Sequence, residues 1–182
     1  MATLAEVRRL CADFDHREIK RTAFLDQCTR LVAAAIGCSR AGIWVFQGER
    51  PELRLRCLAM YDAVNDRAAE LPDEEGPQVA EYFLALEKTG HVMATDAQKH
   101  FATAGFFEKK LQANDVRSLL AAAFSINGRL YGAFTCTQVG SEMEWSRQQL
   151  SALRAMGSRV SLALANAERS PTDTQPGLLS PP

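Results

Sequence analysis

The chain has 182 residues, 47% of them hydrophobic and 24% charged, with a net charge of −1 at neutral pH, which suits one folded domain with a core of its own. That balance lacks the clustered Lys and Arg that displace counterions from a phosphate backbone, so nucleic acid is not an expected partner. The apolar run Leu31 to Cys38 is far too short to span a bilayer and the first residues lack the basic-then-apolar order of a signal peptide, so no membrane is expected as a partner and the cytoplasm is the expected compartment.

Leu4, Val7, Leu10, Cys11 and Phe14 recur at helical spacing and predict an N-terminal helix within residues 1–16, broken around Asp13 to His16. A second helix carries Phe24, Leu25, Cys28, Leu31, Val32 and Ala35 inward and stops at Gly37. Two strands follow. In Ala41 to Phe46, Ile43 and Val45 alternate with Trp44 and Phe46, the pattern of a strand covered on both faces; in Leu53 to Tyr61, Arg54 and Arg56 point to a place near a sheet edge. The short connection Gln47 to Pro51 suits an antiparallel pair.

Residues 62–117 form a variable centre: an acidic loop Asp73-Glu74-Glu75, a helix from Pro77 to Lys88, a short strand from His91 to Thr95, and helical pieces around Phe106 to Leu111. Asn127-Gly128 between two apolar runs is a strong hairpin signal, because a two-residue type I′ turn needs positive φ at both positions. With Ile126 facing Arg129, an unbroken ladder pairs Phe124 with Tyr131, Ala122 with Ala133 and Leu120 with Thr135. Ser146 and Gln149 make a capping box, with Trp145 placed to staple onto Leu150. Beyond it Leu150, Leu153, Gly157, Val160, Leu164 and Ala167 form one apolar stripe. Residues 169–182 are rich in proline and poor in anything to bury, and are expected to be disordered.

Four stretches, Gly90 to Ala97, Val116 to Leu120, Asn127 to Cys136, and Gly140 with Trp145, fall in an order and spacing that resembles the bacterial sensory branch of the GAF domain family, over roughly residues 20 to 168. Ala123 departs from the usual proline, and Thr137-Gln138 from a frequent Glu-His pair. The resemblance implies an α+β fold, GAF/PAS-like, over residues 17–168: a central antiparallel sheet of about six strands, terminal helices on one face and smaller helices on the other, with the variable centre walling a ligand cavity. It also implies dimerisation through the terminal helices, here a homodimer on Leu150, Leu153, Val160 and Leu164, although burial of that stripe against the chain's own sheet is the alternative. No output motif is present, so signalling is expected to run through a partner protein, or else the chain is only the sensory part.

The candidate ligand contacts are Trp44, Tyr82, Phe83, Asp96, Phe106 and Phe107. The aromatics suit a small aromatic or heterocyclic ligand, with ordinary core packing as the competing reading. Asp96 either caps the following turn, the favoured reading, or accepts a ligand donor. The three histidines do not cluster at metal-ligand spacing, so no metal and no cofactor is expected. Five cysteines without a Cys-x-x-Cys suit reduced thiols. No Cys-His dipeptide is present for covalent attachment of a linear tetrapyrrole. The expected function is a non-enzymatic sensory or regulatory module binding an unidentified small molecule; the alternatives are a non-sensing dimerisation module and a thiol-dependent reductase of free methionine sulfoxide using Cys57 or Cys136.

Overall fold

In the computed structural model, which describes residues 4–69, 71–106 and 111–169, the first apolar stripe forms helix α1 (Leu4–Asp15) with Val7, Leu10, Cys11 and Phe14 buried. Helix α2 (Arg21–Ile36), strands β1 (Arg40–Gln47) and β2 (Arg54–Asp62), the two-residue strands β3 (Arg67–Ala68) and β4 (Glu74–Glu75), and helix α3 (Pro77–Thr89) follow. The chain continues through β5 (His91–Ala94), a single 3-10 turn at Ala104–Phe106, the hairpin β6 (Val116–Ile126) and β7 (Arg129–Val139), and helix α4 (Arg147–Arg169).

The seven strands make one antiparallel sheet in the order β3-β2-β1-β7-β6-β5, with β4 also on β2. The strand beyond the expected six comes from the segment read as an acidic loop. β3, which precedes that loop, and β4, within it, pair with opposite ends of the outer edge of β2, at Tyr61–Asp62 and Arg54–Leu55. Such short pairs are set by the exposed edge they find, not by local propensity. Of the expected helical pieces around Phe106 to Leu111, the described residues show the 3-10 turn and a π-helical position at Leu111, and residues 107–110 lie outside the described residues.

Two cores flank the sheet, as the double alternation in β1 requires. Ile43, Val45, Leu120, Ala122, Phe124 and Phe134 meet the buried sides of α1, α2 and α4 on one face, where the Phe14 and Phe24 rings stack at 4.1 Å. Trp44, Phe46, Leu55, Met60, Leu119 and Ala133 meet Val79, Tyr82 and Leu86 of α3 on the other. Helix α2 stops at Gly37, whose N–H donates to Ala33 O. The start of α4 is the capping box itself: Gln149 N–H donates to Ser146 Oγ at 3.1 Å and Ser146 N–H to Gln149 Oε1 at 2.9 Å. Gln149 Nε2 also donates to Ile36 O at 3.0 Å, so the cap fixes α4 to the end of α2.

The apolar stripe of α4 lies inside the chain. Leu150, Leu153, Val160 and Leu164 are buried against α1, α2 and the sheet, so none of them is a surface position in a single copy. Helical spacing shows that a face is apolar without showing which surface covers it.

The hairpin departs from the unbroken ladder. Asn127 and Gly128 make the turn with φ of 51° and 77°, and Ile126 faces Arg129. A bulge between Phe124 and Ser125 in the pairing then shifts the register by one, so that Phe124 faces Gly132, Ala122 faces Phe134 and Leu120 faces Cys136. The shift puts Leu120, Ala122 and Phe124 on the helix side together with Phe134 and Cys136, whereas the unbroken ladder divides these large residues between faces.

Candidate functional site

Between the sheet and α3 lies a cavity of about 120 Å³. Its floor is Trp44 of β1, Leu55 and Met60 of β2, Val116 and Leu119 of β6, and Thr135 of β7; Tyr82 of α3, Phe106 of the 3-10 turn and Leu111 close it from above. The floor follows from pleat alternation: Trp44 and Leu119 sit on strands whose neighbouring residues face the helices.

The polar groups around this space are almost all engaged. Trp44 Nε1 donates to Thr135 Oγ1 at 3.1 Å, and Thr103 Oγ1 donates to Ala97 O at 2.6 Å. At the rim Arg40 Nε meets Asp62 Oδ2 at 3.2 Å. Burial pushes the Asp62 carboxyl upward, but the side-chain and backbone donors of Asn65 and the Arg40 guanidinium hold it below the usual carboxylate range. Arg40 is therefore committed to a structural carboxylate that also ties down the turn through Val64 N–H and Asn65 N–H.

Among the described lining residues, Tyr82 is the one whose buried polar atom lacks a partner. Its side chain is 2% exposed and its hydroxyl has no hydrogen-bond partner among the described residues. Burial raises its pKa, so the group is a neutral O–H at all ordinary pH. The Phe106 ring meets it edge-on at 5.9 Å and 86°. An unsatisfied buried hydroxyl destabilises a fold by about 1–3 kcal/mol. Tyr82→Phe is accordingly expected to raise the stability of the unliganded protein by about 1 kcal/mol, read as a higher urea midpoint at unchanged slope.

Of the sequence candidates, the structure brings Trp44, Tyr82 and Phe106 together around the cavity. It leaves two elsewhere. Phe83 adjoins Tyr82 in sequence but points away around the helix, where its ring packs edge-on against Phe46 at 4.9 Å with the Arg50 guanidinium 5.6 Å above it. Asp96 closes a turn: its Oδ1 accepts from Gln98 N–H at 3.1 Å and its Oδ2 pairs with Lys99 at 2.7 Å, and the Lys99 hydrogen bond holds its carboxyl low. Phe107 lies outside the described residues, as does the segment 170–182 expected to be disordered. Arg40, Thr103 and Thr135 line the space without having been singled out from the sequence.

Among the described residues no cysteine lines the cavity. Burial pushes the Cys57 thiol up to about 12 and Cys11 up to about 11, and holds Cys136 well above its ordinary value. Thiols in that state do not supply the thiolate that nucleophilic or redox chemistry needs at neutral pH. Among the described residues no group of three or more His, Cys, Asp or Glu is placed to hold a metal ion, and no helix is long and apolar enough to cross a membrane.

Comparison with known proteins agrees with this architecture. The GAF domain family model matches residues 20–164, and the chain belongs to that family. Among solved structures, the phycocyanobilin-bound GAF domain from a cyanobacterial phytochrome is similar, with a TM-score of 0.72 and 16% identity over 95% of this chain and 100% of that one. The blue-light absorbing form of the Thermosynechococcus elongatus PixJ GAF domain gives a TM-score of 0.66 and 18% identity over 85% of this chain and 88% of that one. The photosensory core module of the Stigmatella aurantiaca phytochrome gives 0.67 and 12%, over 92% of this chain and 37% of that one. At such identities these structures establish a shared fold. No curated protein matches the sequence.

Proposed function

We propose that this chain is a sensory GAF module in which a small molecule occupies the cavity between the sheet and α3 and its occupancy is passed to the terminal helices. The observation that carries the reading is Tyr82: a fully buried hydroxyl without a partner, on the wall of a formed cavity, is the arrangement a ligand completes. Two contacts connect cavity and helices. Arg154 of α4 reaches His91 Nδ1 at 3.0 Å and Thr89 O at 3.5 Å at the end of α3, the helix that carries Tyr82. Ser118, next to the floor residue Leu119, donates through Oγ to Thr95 O at 2.5 Å and accepts from Met143 N–H at 2.6 Å, just before α4. A ligand biases the helices only by binding one of their arrangements better than another.

One of the named structural relatives is phycocyanobilin-bound, and the residues here do not fit such a group. An apolar cavity of about 150 Å³ holds a single benzene, and the space in this chain is of that order. A four-ring tetrapyrrole exceeds it several-fold, and among the described residues no thiol faces it for attachment.

A thermal-shift screen against cyclic nucleotides, nucleobases, amino acids and single-ring aromatics tests the reading. Saturable stabilisation by at least one compound is expected, amounting to about 2.7 kcal/mol at a hundredfold excess over Kd. It is expected to vanish in Leu119→Trp, which fills the space, and to be accompanied by altered amide exchange in α4. A panel without any saturable hit overturns the proposal.

A further inference from the structure

We infer that the occupant of this cavity is an uncharged, single-ring aromatic or heteroaromatic molecule carrying one hydrogen-bond acceptor, which the Tyr82 hydroxyl meets. The inference rests on the sensory reading and narrows it to a ligand class.

Size comes first. A space of about 120 Å³ limits the guest to a single ring, because a cavity of about 150 Å³ takes one benzene; a substituent on that ring lies toward the rim. Ring character comes from the walls: Trp44, Tyr82 and Phe106 all border the space, with Tyr82 and Phe106 already in an edge-on pair. A third ring placed among them adds favourable edge and offset contacts that an aliphatic guest of equal volume lacks.

Charge is disfavoured by what the rim groups already do, since the guanidinium on the lining already faces the Asp62 carboxylate through its Nε. A carboxylate or ammonium moved into an apolar space loses its hydration unless a counter-charge receives it. Arg40 is bound to Asp62 and Asp62 to the turn that follows it. Glu74, the remaining ionisable group on the lining, also has interactions of its own. Trp44 Nε1 and Thr103 Oγ1 have given their protons to Thr135 and Ala97. The Tyr82 O–H is the buried donor on this lining with no partner among the described residues, and burial keeps its proton on, while Thr135, which accepts from Trp44, and Thr137 keep hydroxyl protons of their own. A donor of this kind selects strongly for an acceptor, since a guest without one leaves the hydroxyl as unsatisfied as before.

Acetophenone, isopropylbenzene and benzoate are the probes: one ring each, of closely matched shape, carrying respectively an acceptor, no polar atom and a charge. Their Kd values are measured by ligand-observed NMR on the wild type, Tyr82→Phe and Leu119→Trp. Because the hydrocarbon is far less hydrated than the ketone, the informative quantity is how each Kd responds to loss of the hydroxyl, not their order in the wild type. Tyr82→Phe is expected to weaken acetophenone about tenfold while isopropylbenzene stays within twofold or tightens. Benzoate is expected to bind at least a hundredfold more weakly than acetophenone. Leu119→Trp, which needs only to remain folded, is expected to abolish all binding and so locates it.

Equal responses of ketone and hydrocarbon to Tyr82→Phe overturn the acceptor assignment, and benzoate as the tightest probe overturns the preference for an uncharged guest. Either result leaves the sensory reading standing. If none of the three probes binds while another compound of the thermal-shift panel does, the ligand class is wrong and the cavity's role is not; if neither set yields a binder, both fall.

Discussion

Val160→Glu is expected to leave no cooperatively folded protein at room temperature. Val160 is 0% exposed on α4, within the core that joins α4 to α1, α2 and the sheet. A glutamate there places a carboxyl among hydrocarbon, and a buried unpaired charge is far costlier than the protonated group, which still lacks hydrogen-bond partners. The longer side chain also overpacks a site closed around an isopropyl group, at about 1–3 kcal/mol. Together these exceed the 4–5 kcal/mol that marks the severe end of single substitutions, against a total stability of about 5–15 kcal/mol for domains in general. Leu164→Glu, at 1% exposure, is expected to behave alike. Far-UV circular dichroism through a urea titration measures it, with Val160→Ala as the control that loses about 2 kcal/mol and keeps the transition. A Val160→Glu protein unfolding at the wild-type midpoint would show that this stripe is not interior. Association between copies is therefore tested elsewhere on the helix, at Leu162, which is 53% exposed and where a glutamate is expected to leave the fold unchanged.

That contrast shows where sequence patterns carry information about this fold. The α4 stripe, the capping box and the Asn127-Gly128 turn are local: spacing, a hydroxyl and an amide three residues apart, and two residues that tolerate positive φ are each sufficient in themselves. The structure contains all three. What covers the stripe is a tertiary matter, and so is the pairing of β3 and β4, two residues each, with the ends of β2. The hairpin register fails for the same kind of reason. Its first pair is set by the turn, but the pairs past the bulge at Phe124/Ser125 belong to a sheet in which β7 also pairs with β1, from far off in sequence.

The site divides in the same way. Aromatic content predicted Trp44, Tyr82 and Phe106 as walls, and the structure groups them. Phe83 carried the same composition signal, yet adjacent helix positions differ in direction by about 100°, so the face that holds Tyr82 cannot also hold it. Arg40 and Thr135 were invisible because their significance is negative: each is already engaged, by Asp62 and by Trp44. Neither bonds to Tyr82, whose hydroxyl has no partner among the described residues. No single-residue property announces such a vacancy, since it arises from three strands and a helix converging.

Gly132→Val is expected to cost more than about 4 kcal/mol and to abolish ligand binding along with it. A Cβ at position 132 would lie 2.1 Å from the Trp44 carbonyl oxygen and 2.7 Å from two carbons of the Phe124 ring. The ring has some freedom to turn; the carbonyl belongs to the backbone of β1, which pairs with β7 at Val45↔Gly132 and Trp44↔Ala133. Relief therefore demands separation of β1 from β7 in the middle of the sheet, and it moves Trp44 out of the cavity floor. Gly128→Ala isolates the competing explanation. Gly128 has a φ of 77° but nothing within 4 Å of its Cβ position, so its alanine variant meets left-handed strain alone, at about 1–2 kcal/mol. Gly132→Ala carries no such strain and is expected to be the more damaging of the two alanines, because the contact with β1 begins at the first carbon. Urea midpoints for the three variants decide it: a Gly132→Ala loss no greater than that of Gly128→Ala would mean that β1 is free to recede, and that the floor under Tyr82 is softer than its hydrogen bonds imply.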